Sequence, residues 1–267
     1  MAYYVDVHTH LTHEDFRSDL ASVIKDCVDA GVGAMVVNGL EPESNRQILE
    51  LAKIYPQIKA AAGIYPTQAV HPYLEGDLAL KTKPFSIPDA INEIKQLAET
   101  KQIIAVGECG LDGYWLDASY TTKQEKVFES LLEIAKDNNI PAIIHSRKLE
   151  RRAFEICAAL GMKKVNFHCY TGKTNLAVSM AEKHPWYFSI PANSIRSESF
   201  QKLMKSLPKE QILTETDAPY LAPVANTRNL PKNVIGTVEL FANLRNLDLN
   251  DAKEIIWQNY LDLFSLN

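Results

Sequence analysis

Near its amino terminus the chain has an apolar run, Val5-Asp6-Val7-His8-Thr9-His10, that ends in two histidines spaced two residues apart. Successive side chains of a β-strand point to opposite faces, so His8 and His10 project to the same side of the predicted strand. Two imidazoles placed in this way can bind one divalent cation. A histidine pair at a strand end is, taken alone, more often an ordinary surface feature than a metal site. The rest of the chain has to decide between these two interpretations.

The length and charge of the chain limit its class. A chain of 267 residues is long enough for one large α/β barrel, so we expect a single domain over residues 1–267. With 28 Lys and Arg against 33 Asp and Glu, the formal net charge is −5. This balance argues against nucleic-acid binding through net charge and allows a local basic rim.

Cysteine usage and the distribution of apolar residues indicate the compartment. The four cysteines lie far apart and form no Cys-x-x-Cys pair, so we expect them to be reduced thiols. The first residues show no basic segment followed by an apolar run, and no stretch is long and apolar enough to span a membrane. These features predict a soluble cytoplasmic protein with no membrane association.

Short apolar runs alternate with amphipathic stretches along the whole chain. The predicted strands are residues 5–10, 34–38, 59–64, 103–106, 142–145, 165–168, 186–190 and 212–217. Apolar residues at helical spacing predict helices over 18–30, 42–54, 89–99, 121–138, 149–160, 173–183 and 197–206, with two more over 231–244 and 250–264. Because the strands of these eight βα units are too apolar to face water, we predict a parallel sheet closed into a (β/α)8 TIM barrel of the α/β class.

Two further features bear on this fold. An open doubly wound sheet is the alternative, and its dinucleotide-binding form is disfavoured because no Gly-x-Gly-x-x-Gly sequence follows the first strand. Residues 66–88 contain four prolines and no clear periodicity. We therefore expect a long loop there that covers one end of the barrel, in the position of a lid.

Metal-capable side chains stand at the ends of several predicted strands. They are His8, His10, Glu108, His145, His168 and Asp217. The carboxyl ends of all strands of a parallel barrel emerge on one face, so these side chains are expected to converge at the mouth of the barrel. Each of them alone has an ordinary structural explanation. Their joint occurrence at strand ends favours a metal centre of the kind that hydrolytic enzymes use.

The number of candidate ligands indicates two ions. Four histidines and two carboxylates exceed what one tetrahedral ion with an open position requires. Glu108, expected at the barrel centre, is the natural bridge between two ions. Imidazole ligands suit zinc or manganese better than magnesium, and the sequence does not choose among the three metals.

Five motifs spread over almost the whole chain carry a family resemblance. They are Asp6-Val7-His8-Thr9-His10, Gly107-Glu108-Cys109-Gly110-Leu111-Asp112, Ile144-His145-Ser146-Arg147, His168-Cys169-Tyr170-Thr171-Gly172 and Glu215-Thr216-Asp217-Ala218-Pro219-Tyr220-Leu221. In this order they resemble the signatures of the TatD family of metal-dependent deoxyribonucleases. The resemblance implies a TIM barrel of the amidohydrolase type, a divalent-metal centre and hydrolysis of DNA phosphodiester bonds.

The resemblance also divides the ligands between two ions. It implies one ion on His8, His10, Glu108 and Asp217, and a second on Glu108, His145 and His168. The chain departs from the family at Gly63-Ile64-Tyr65-Pro66, where many relatives have Gly-x-His-Pro. Tyr65 thus replaces a histidine expected to face the substrate, which leaves the metal ligands unchanged and affects substrate choice or rate. Arg228-Asn229-Leu230-Pro231 is close to the family's Arg-Asn-x-Pro and is expected to shape the mouth.

Arg147, Tyr65 and Arg228 are the candidate substrate contacts. Arg147 follows a candidate ligand and can bind a phosphate through two hydrogen bonds, although an ion pair with an acid such as Glu150 explains it equally well. A basic rim at the mouth is expected from four cations that follow predicted strand ends. This predicted rim consists of Arg147, Lys173, Arg196 and Arg228.

Three neighbours of the candidate ligands are expected to be structural. Asp112 is expected to fix the loop after the fourth strand. Cys109 and Cys169 each adjoin a candidate ligand, so strand alternation points them away from the metals and into packing contacts.

Three functions are compatible with these observations. The first is a deoxyribonuclease that cleaves single-stranded DNA or DNA ends exonucleolytically: Glu108 bridges two ions, metal-activated water attacks phosphorus, and Asp217 orients the water or accepts its proton. The second is hydrolysis of an ester or amide bond in a small metabolite or an aminoacyl-tRNA, which the acidic net charge and Tyr65 favour. The third is a catalytically inactive barrel that binds a partner, for which missing ligands would be expected. We expect a monomer or a small homo-oligomer.

Overall fold

Eight parallel strands form one sheet in which each strand pairs with the next one along the chain. The computed structural model describes residues 2–80 and 82–265. The strands are β1 (Tyr4–Thr9), β2 (Val32–Asn38), β3 (Ile58–Ala62), β4 (Ala105–Asp112), β5 (Ala142–Arg147), β6 (Val165–His168), β7 (Tyr187–Ile190) and β8 (Ile212–Thr214). A doubly wound sheet reverses its strand order partway, whereas this order is sequential, as in a barrel. The predicted single α/β barrel is confirmed.

Helices cover the outside of the barrel and connect its strands. They are α1 (Leu20–Asp29), α2 (Pro42–Ile54), α3 (Pro66–Ala69), α4 (Gly76–Leu80), α5 (Ile87–Glu99), α6 (Thr121–Asp137), α7 (Glu150–Ala159), α8 (Thr174–Lys183), α9 (Glu198–Ser206), α10 (Val234–Arg245) and α11 (Leu249–Phe264). The start of α2 shows why such segments are helical. Pro42 occupies the first turn, and the Glu41 carboxylate accepts a hydrogen bond from the amide of Ser44 at 2.8 Å. Among the described residues, no helix combines the length and the apolarity needed to cross a bilayer.

An aromatic cluster between α7 and strands β6 and β7 anchors one side of the core. The rings of Phe154 and Phe167 meet edge to face with centroids 4.3 Å apart, and Phe188 packs beside them. Trp186 is fully buried, and its indole nitrogen donates a hydrogen bond to the carbonyl oxygen of Met162 at 2.8 Å. Burial of one such side chain contributes about 1.5–3 kcal/mol to folding. This packing holds β6, and therefore His168 at its end, in a fixed position.

The barrel closes where residues 214–218 run beside β1, a region that we call the seam. The amide of Thr216 donates to the carboxylate of Asp6 at 2.9 Å, and the amide of Asp217 donates to the carbonyl oxygen of His8 at 2.8 Å. The hydroxyl of Thr216 also donates to the Asp6 carboxylate. The seam therefore joins the first and last strands and brings Asp217 next to His8.

The fourth strand lies later in the chain than its predicted range of 103–106, because β4 spans Ala105–Asp112. Gly110 shows why: its φ is +144°, and a Cβ atom there would lie 1.9 Å from the carbonyl oxygen of His145 on β5. Glycine is needed at this close approach of two strands. Residues 107–112, which are rich in glycine and acidic residues, thus belong to a barrel strand. Glu108 lies inside β4 instead of after it.

The prediction of a long loop without secondary structure over residues 66–88 is wrong. This segment contains α3, α4, a 3-10 turn at His71–Tyr73 and the start of α5. The buried imidazole of His71 holds the turn, since one ring nitrogen lies 2.8 Å from the carbonyl oxygen of Gln68 and the other accepts a hydrogen bond from the amide of Phe85 at 3.2 Å. The segment does lie over the mouth of the barrel, where several of its side chains line the central cavity.

Candidate metal centre

The structure brings the six candidate ligands together in a buried cluster at the carboxyl ends of the strands. The first set combines β1, β4 and the seam. The Nε2 atoms of His8 and His10 lie 3.2 Å apart, and Glu108 Oε2 lies 3.4 Å from the former and 3.5 Å from the latter. Asp217 Oδ1 completes this set at 3.6 Å from His8 Nε2 and 3.2 Å from His10 Nε2.

The second set uses the other oxygen of Glu108. Glu108 Oε1 lies 3.1 Å from His145 Nδ1 and 3.0 Å from His168 Nε2. The two histidine nitrogens lie 3.5 Å from each other. One carboxylate therefore faces two groups of donors, one with each of its oxygens.

These distances fit divalent metal ions. Donor atoms at about 2.1 Å from one tetrahedral ion lie about 3.4 Å from each other. The separations within the two sets, 3.0 to 3.6 Å, match this value. Imidazole nitrogens and carboxylate oxygens are the donors that zinc and manganese accept. The buried cluster is consistent with a binuclear centre in which Glu108 is shared by both ions.

Second partners orient two of the histidine rings. Nδ1 of His10 lies 3.1 Å from the carbonyl oxygen of Asn38, and Nε2 of His145 lies 2.8 Å from Asp112 Oδ2. Each contact leaves the opposite ring nitrogen directed at the cluster, which fixes the tautomer needed for ligation. Asp112 has a second role that the sequence predicted, because its Oδ1 atom accepts hydrogen bonds from the amides of the following loop.

Glu215 is the residue of the centre that the sequence analysis missed. It is fully buried, and its Oε1 atom lies 3.6 Å from His168 Nδ1 while accepting a hydrogen bond from the amide of Cys169 at 2.8 Å. Its other oxygen accepts a hydrogen bond from the hydroxyl of Ser189. Glu215 therefore places a second carboxylate behind His168, on the side of the ring away from Glu108. The available signal was its position two residues before Asp217 in the last motif.

The electrostatics of the cluster favour ionised carboxylates. Burial opposes ionisation of Glu108, but the charges of His168 and His8 hold the pKa of Glu108 well below its usual range. Burial likewise opposes ionisation of Asp217, and the hydrogen bond from His10 lowers the pKa of this carboxyl. Burial disfavours a charged His168, whereas Glu108 and Glu215 raise its pKa well above the usual value. The centre is thus a buried anionic site that binds cations, either protons or metal ions.

Comparison with known proteins identifies the family. The model of the TatD related DNase family matches residues 5–265. The chain belongs to the TatD family of metal-dependent hydrolases. It is 33% identical over 261 residues to an uncharacterized metal-dependent hydrolase of Methanocaldococcus jannaschii, covering 98% of this chain and 96% of that protein. It is 30% identical over 264 residues to the human deoxyribonuclease TATDN3, covering 97% and 94% of the two chains.

Solved structures of TatD proteins share the barrel. The crystal structure of the Escherichia coli K12 TatD homolog YJJV superposes with a TM-score of 0.85 at 22% sequence identity, covering 99% of this chain and 98% of that one. This likeness supports the fold. A TatD family protein of Entamoeba histolytica superposes with a TM-score of 0.83 at 18% identity, covering 98% of each chain.

A cavity of about 670 Å³ opens above the metal centre of this TatD protein. Tyr65 and Arg147, two of the predicted substrate contacts, line it. The hydroxyl of Tyr65 lies 3.5 Å from His145 Nε2. Burial raises the pKa of Tyr65 well above its usual value, with a further contribution from Glu108, so the phenol stays protonated at neutral pH. Cys169 packs against the core as expected and also lines the cavity, and Cys109 is buried as expected.

The cations of the predicted rim have different surroundings in the structure, and they do not all reach the cavity. Arg228 forms two hydrogen bonds to the carboxylate of Asp19, at 3.0 and 2.6 Å, and it is not among the described residues that line the cavity. The guanidinium of Arg196 donates to the carbonyl oxygen of Ala222 at 3.3 Å. Arg147 alone of the four rim residues lines the cavity.

Arg147 does not form the alternative ion pair with Glu150. Glu150 instead accepts a hydrogen bond from the amide of Lys148 at 3.1 Å. The arginine salt bridges in the described part of the chain are made by Arg46, Arg152 and Arg228. The guanidinium of Arg147 is therefore available to an anion that enters the cavity.

Proposed function

We propose that this TatD-family hydrolase cleaves phosphodiester bonds of DNA, acting exonucleolytically on single strands or strand ends. The observation that carries the proposal is the shared carboxylate of Glu108, whose two oxygens face different donor sets at 3.0–3.5 Å. Paired divalent ions stabilise both the attacking and the leaving oxygen when phosphorus is displaced in line. The name of the human relative, a deoxyribonuclease at 30% identity, supports the same substrate.

The residues of the centre have distinct roles in this reaction. When bound, two divalent ions supply Lewis acidity to the scissile phosphodiester and activate water. Asp217 is ionised at neutral pH because its hydrogen bond with His10 lowers its pKa against the effect of burial. It orients the attacking water and accepts its proton. Glu108 faces one ligand set with each oxygen and so fixes the position of the two sets relative to each other.

Two side chains of the cavity recognise the phosphate. Tyr65 carries a protonated hydroxyl close to His145, so it donates a hydrogen bond to a phosphate oxygen. Arg147 has no ion-pair partner among the described residues and presents a planar guanidinium, which binds phosphate through two hydrogen bonds. Because the ligands lie buried at the bottom of the cavity, a strand end reaches them more readily than an intact duplex does.

Metal add-back tests the proposal. Protein stripped with a chelator and then reloaded separately with Mn, Mg or Zn is incubated with single-stranded DNA labelled at either end. We expect at least one metal to restore stepwise shortening from one end. The Asp217→Asn variant, checked for folding by circular dichroism, is the matched inactive control. If no metal restores cleavage of any labelled DNA, the protein is not a deoxyribonuclease.

Hydrolysis of an ester or amide is the second candidate, and one feature of the cavity favours it. Part of the wall is apolar and consists of Leu40, Leu78, Phe200 and Leu221. Such a wall suits a small substrate with an apolar portion. A panel of phosphodiesters, esters and amides assayed with the same reloaded protein separates the two candidates.

A cytoplasmic location and a monomeric or small homo-oligomeric state stay predictions from the sequence.

A further inference from the structure

The loop after β4, residues 113–117, presents two aromatic side chains at the mouth of the cavity. Tyr114 is 46% exposed and Trp115 is 54% exposed, and their rings meet edge to face with centroids 4.8 Å apart. Single exposed aromatic residues are common on protein surfaces. This pair is different because Trp115 lines the same cavity as the metal ligands His145 and Asp217.

Asp112 fixes the two aromatic residues relative to the metal centre. Its Oδ1 atom accepts hydrogen bonds from the amides of Tyr114 and Trp115, both at 2.7 Å. Its Oδ2 atom lies 2.8 Å from Nε2 of His145. One buried carboxylate thus sets the position of the aromatic pair and the orientation of a ligand ring, so the distance between them is defined by the fold.

Two cations lie against the same aromatic pair. The guanidinium carbon of Arg147 lies 3.7 Å from the centre of the Tyr114 ring, and Nζ of Lys148 lies 5.0 Å from it. Neither cation forms a salt bridge within the described residues, where the lysine ion pairs involve Lys25, Lys53, Lys83, Lys95 and Lys232. The guanidinium covers one face of Tyr114, so the surface combines the half-exposed ring of Trp115 with positive charge that has no counter-ion among the described residues.

We propose that Tyr114, Trp115 and Arg147 form a base-stacking subsite that holds the nucleobase next to the scissile phosphate. This inference rests on the proposed deoxyribonuclease function and adds the residues that select an unpaired base. Proteins that bind single strands combine aromatic platforms for the bases with cations for the backbone. A base inside a duplex already has neighbours on both faces, so a stacking platform favours a single strand or a frayed end.

Kinetics with a matched pair of substrates test the subsite. One substrate is a single-stranded oligonucleotide, and the other has the same sequence with abasic residues next to the cleaved bond. We expect Trp115→Ala to raise KM on the normal strand about 5- to 150-fold, since stacking one base is worth this much. We expect kcat to change by less than about twofold and the abasic substrate to show no effect of the substitution, because only the stacking contact is removed.

Two variants serve as controls in this experiment. Trp115→Phe keeps an aromatic face and should restore most of the lost affinity. Tyr3→Ala removes an exposed aromatic side chain that precedes β1, at the opposite end of the barrel, and should leave KM unchanged. If Trp115→Ala raises KM equally on both substrates, the residue only shapes the loop and the subsite is refuted. An unchanged KM on the normal strand refutes it as well.

Fluorescence gives a readout that does not depend on turnover. Trp115 is half exposed, whereas Trp186 is fully buried, so stacking of a base should quench the emission of Trp115. We expect titration with the oligonucleotide to quench the wild-type protein and to leave Trp115→Phe nearly unchanged. Quenching without hydrolysis would support the subsite and refute the nuclease. Hydrolysis without quenching would refute the subsite and leave the nuclease function intact.

Discussion

The metal centre and the predicted rim lie on the same face of the barrel but are built in different ways. The ligands of the centre lie at the ends of β1, β5 and β6, within β4 and in the seam, and all are buried except His145 and Asp217, which are partly buried. Two of their rings have second hydrogen-bond partners that fix their orientation. The rim cations have less uniform surroundings: Arg147 is the last residue of β5, whereas Arg196 and Arg228 lie outside the strands and donate hydrogen bonds to Ala222 and Asp19.

Because of this difference, we expect one group of residues to determine the reaction and another group to determine the choice of substrate. Side chains on strands of a closed sheet cannot move independently, so the centre imposes one arrangement on whatever ions it binds. Side chains on loops can be replaced without disturbing the barrel. The family's shared reaction is therefore expected to depend on the centre, and the identity of the substrate on Tyr65, the loop after β4 and Arg147 at the last position of β5.

The largest effect should come from the shared carboxylate. Glu108→Gln removes the negative charge that faces both ligand sets, so neither ion is held firmly. We expect activity to fall at least about 1000-fold, more than loss of one electrostatic stabiliser usually costs, and bound metal to fall below one equivalent by elemental analysis. Glu198→Gln on the surface is the control. Two tightly bound ions in Glu108→Gln would show that the carboxylate is not shared.

Metal removal should weaken the whole barrel. A ligand present at 100 times its Kd stabilises the folded state by about 2.7 kcal/mol. For a chain of this size that corresponds to a fall in Tm of about 5–10 °C when the metal is removed. Thermal denaturation followed by circular dichroism, with and without chelator, measures the shift. An unchanged Tm after complete metal removal would mean that the centre is equally stable without ions.

A smaller and more local effect is expected for Asp112→Asn. The asparagine oxygen can still accept the amide hydrogen bonds of the loop, whereas its NH2 group cannot accept a hydrogen bond from His145 Nε2. Loss of such an orienting contact lowers metal affinity by about 10- to 100-fold. Competition titration should show this loss at the set that contains His145 only. Equal weakening of both sets would contradict independent orientation of the rings.

The rim should give the smallest effects, and they should differ between residues. Removing one phosphate contact lowers the slope of log affinity against log salt by about one. We expect this change for Arg147→Ala, and a smaller one for Arg228→Ala because Asp19 already holds that guanidinium. Lys101→Ala, which precedes β4 on the opposite face, should behave as wild type. DNA binding at several salt concentrations measures the slopes, and equal shifts in all three variants would rule out a rim.

The sequence was sufficient to predict the features of the site that depend on where the strands end. Parallel strands share one face at their carboxyl ends, so His8 and His168 could be brought together without knowledge of any loop. The sequence predicts helix α2 over its observed range because Pro42 in the first turn is a local signal. Local signals and the geometry of the barrel were sufficient for these features.

Features that depend on distant contacts could not be predicted. The glycines of β4 indicated a loop, because the approach of His145 that requires Gly110 exists only in the folded barrel. The ion pair of Arg228 with Asp19 joins residues that are far apart in the chain, and no local sequence pattern predicts it. Glu215 was missed for the same reason, since its partner Ser189 lies on β7 and its partner Cys169 directly follows β6.

The seam has a consequence for how the metal centre is acquired. The first ligand set takes His8 from β1 and Asp217 from just beyond β8, so strands β2 to β8 are all synthesised between the first ligand and the last. A nascent chain on the ribosome cannot assemble this set until its last strand has emerged. An ion bound there would act as a reversible cross-link between the first and last strands of the barrel.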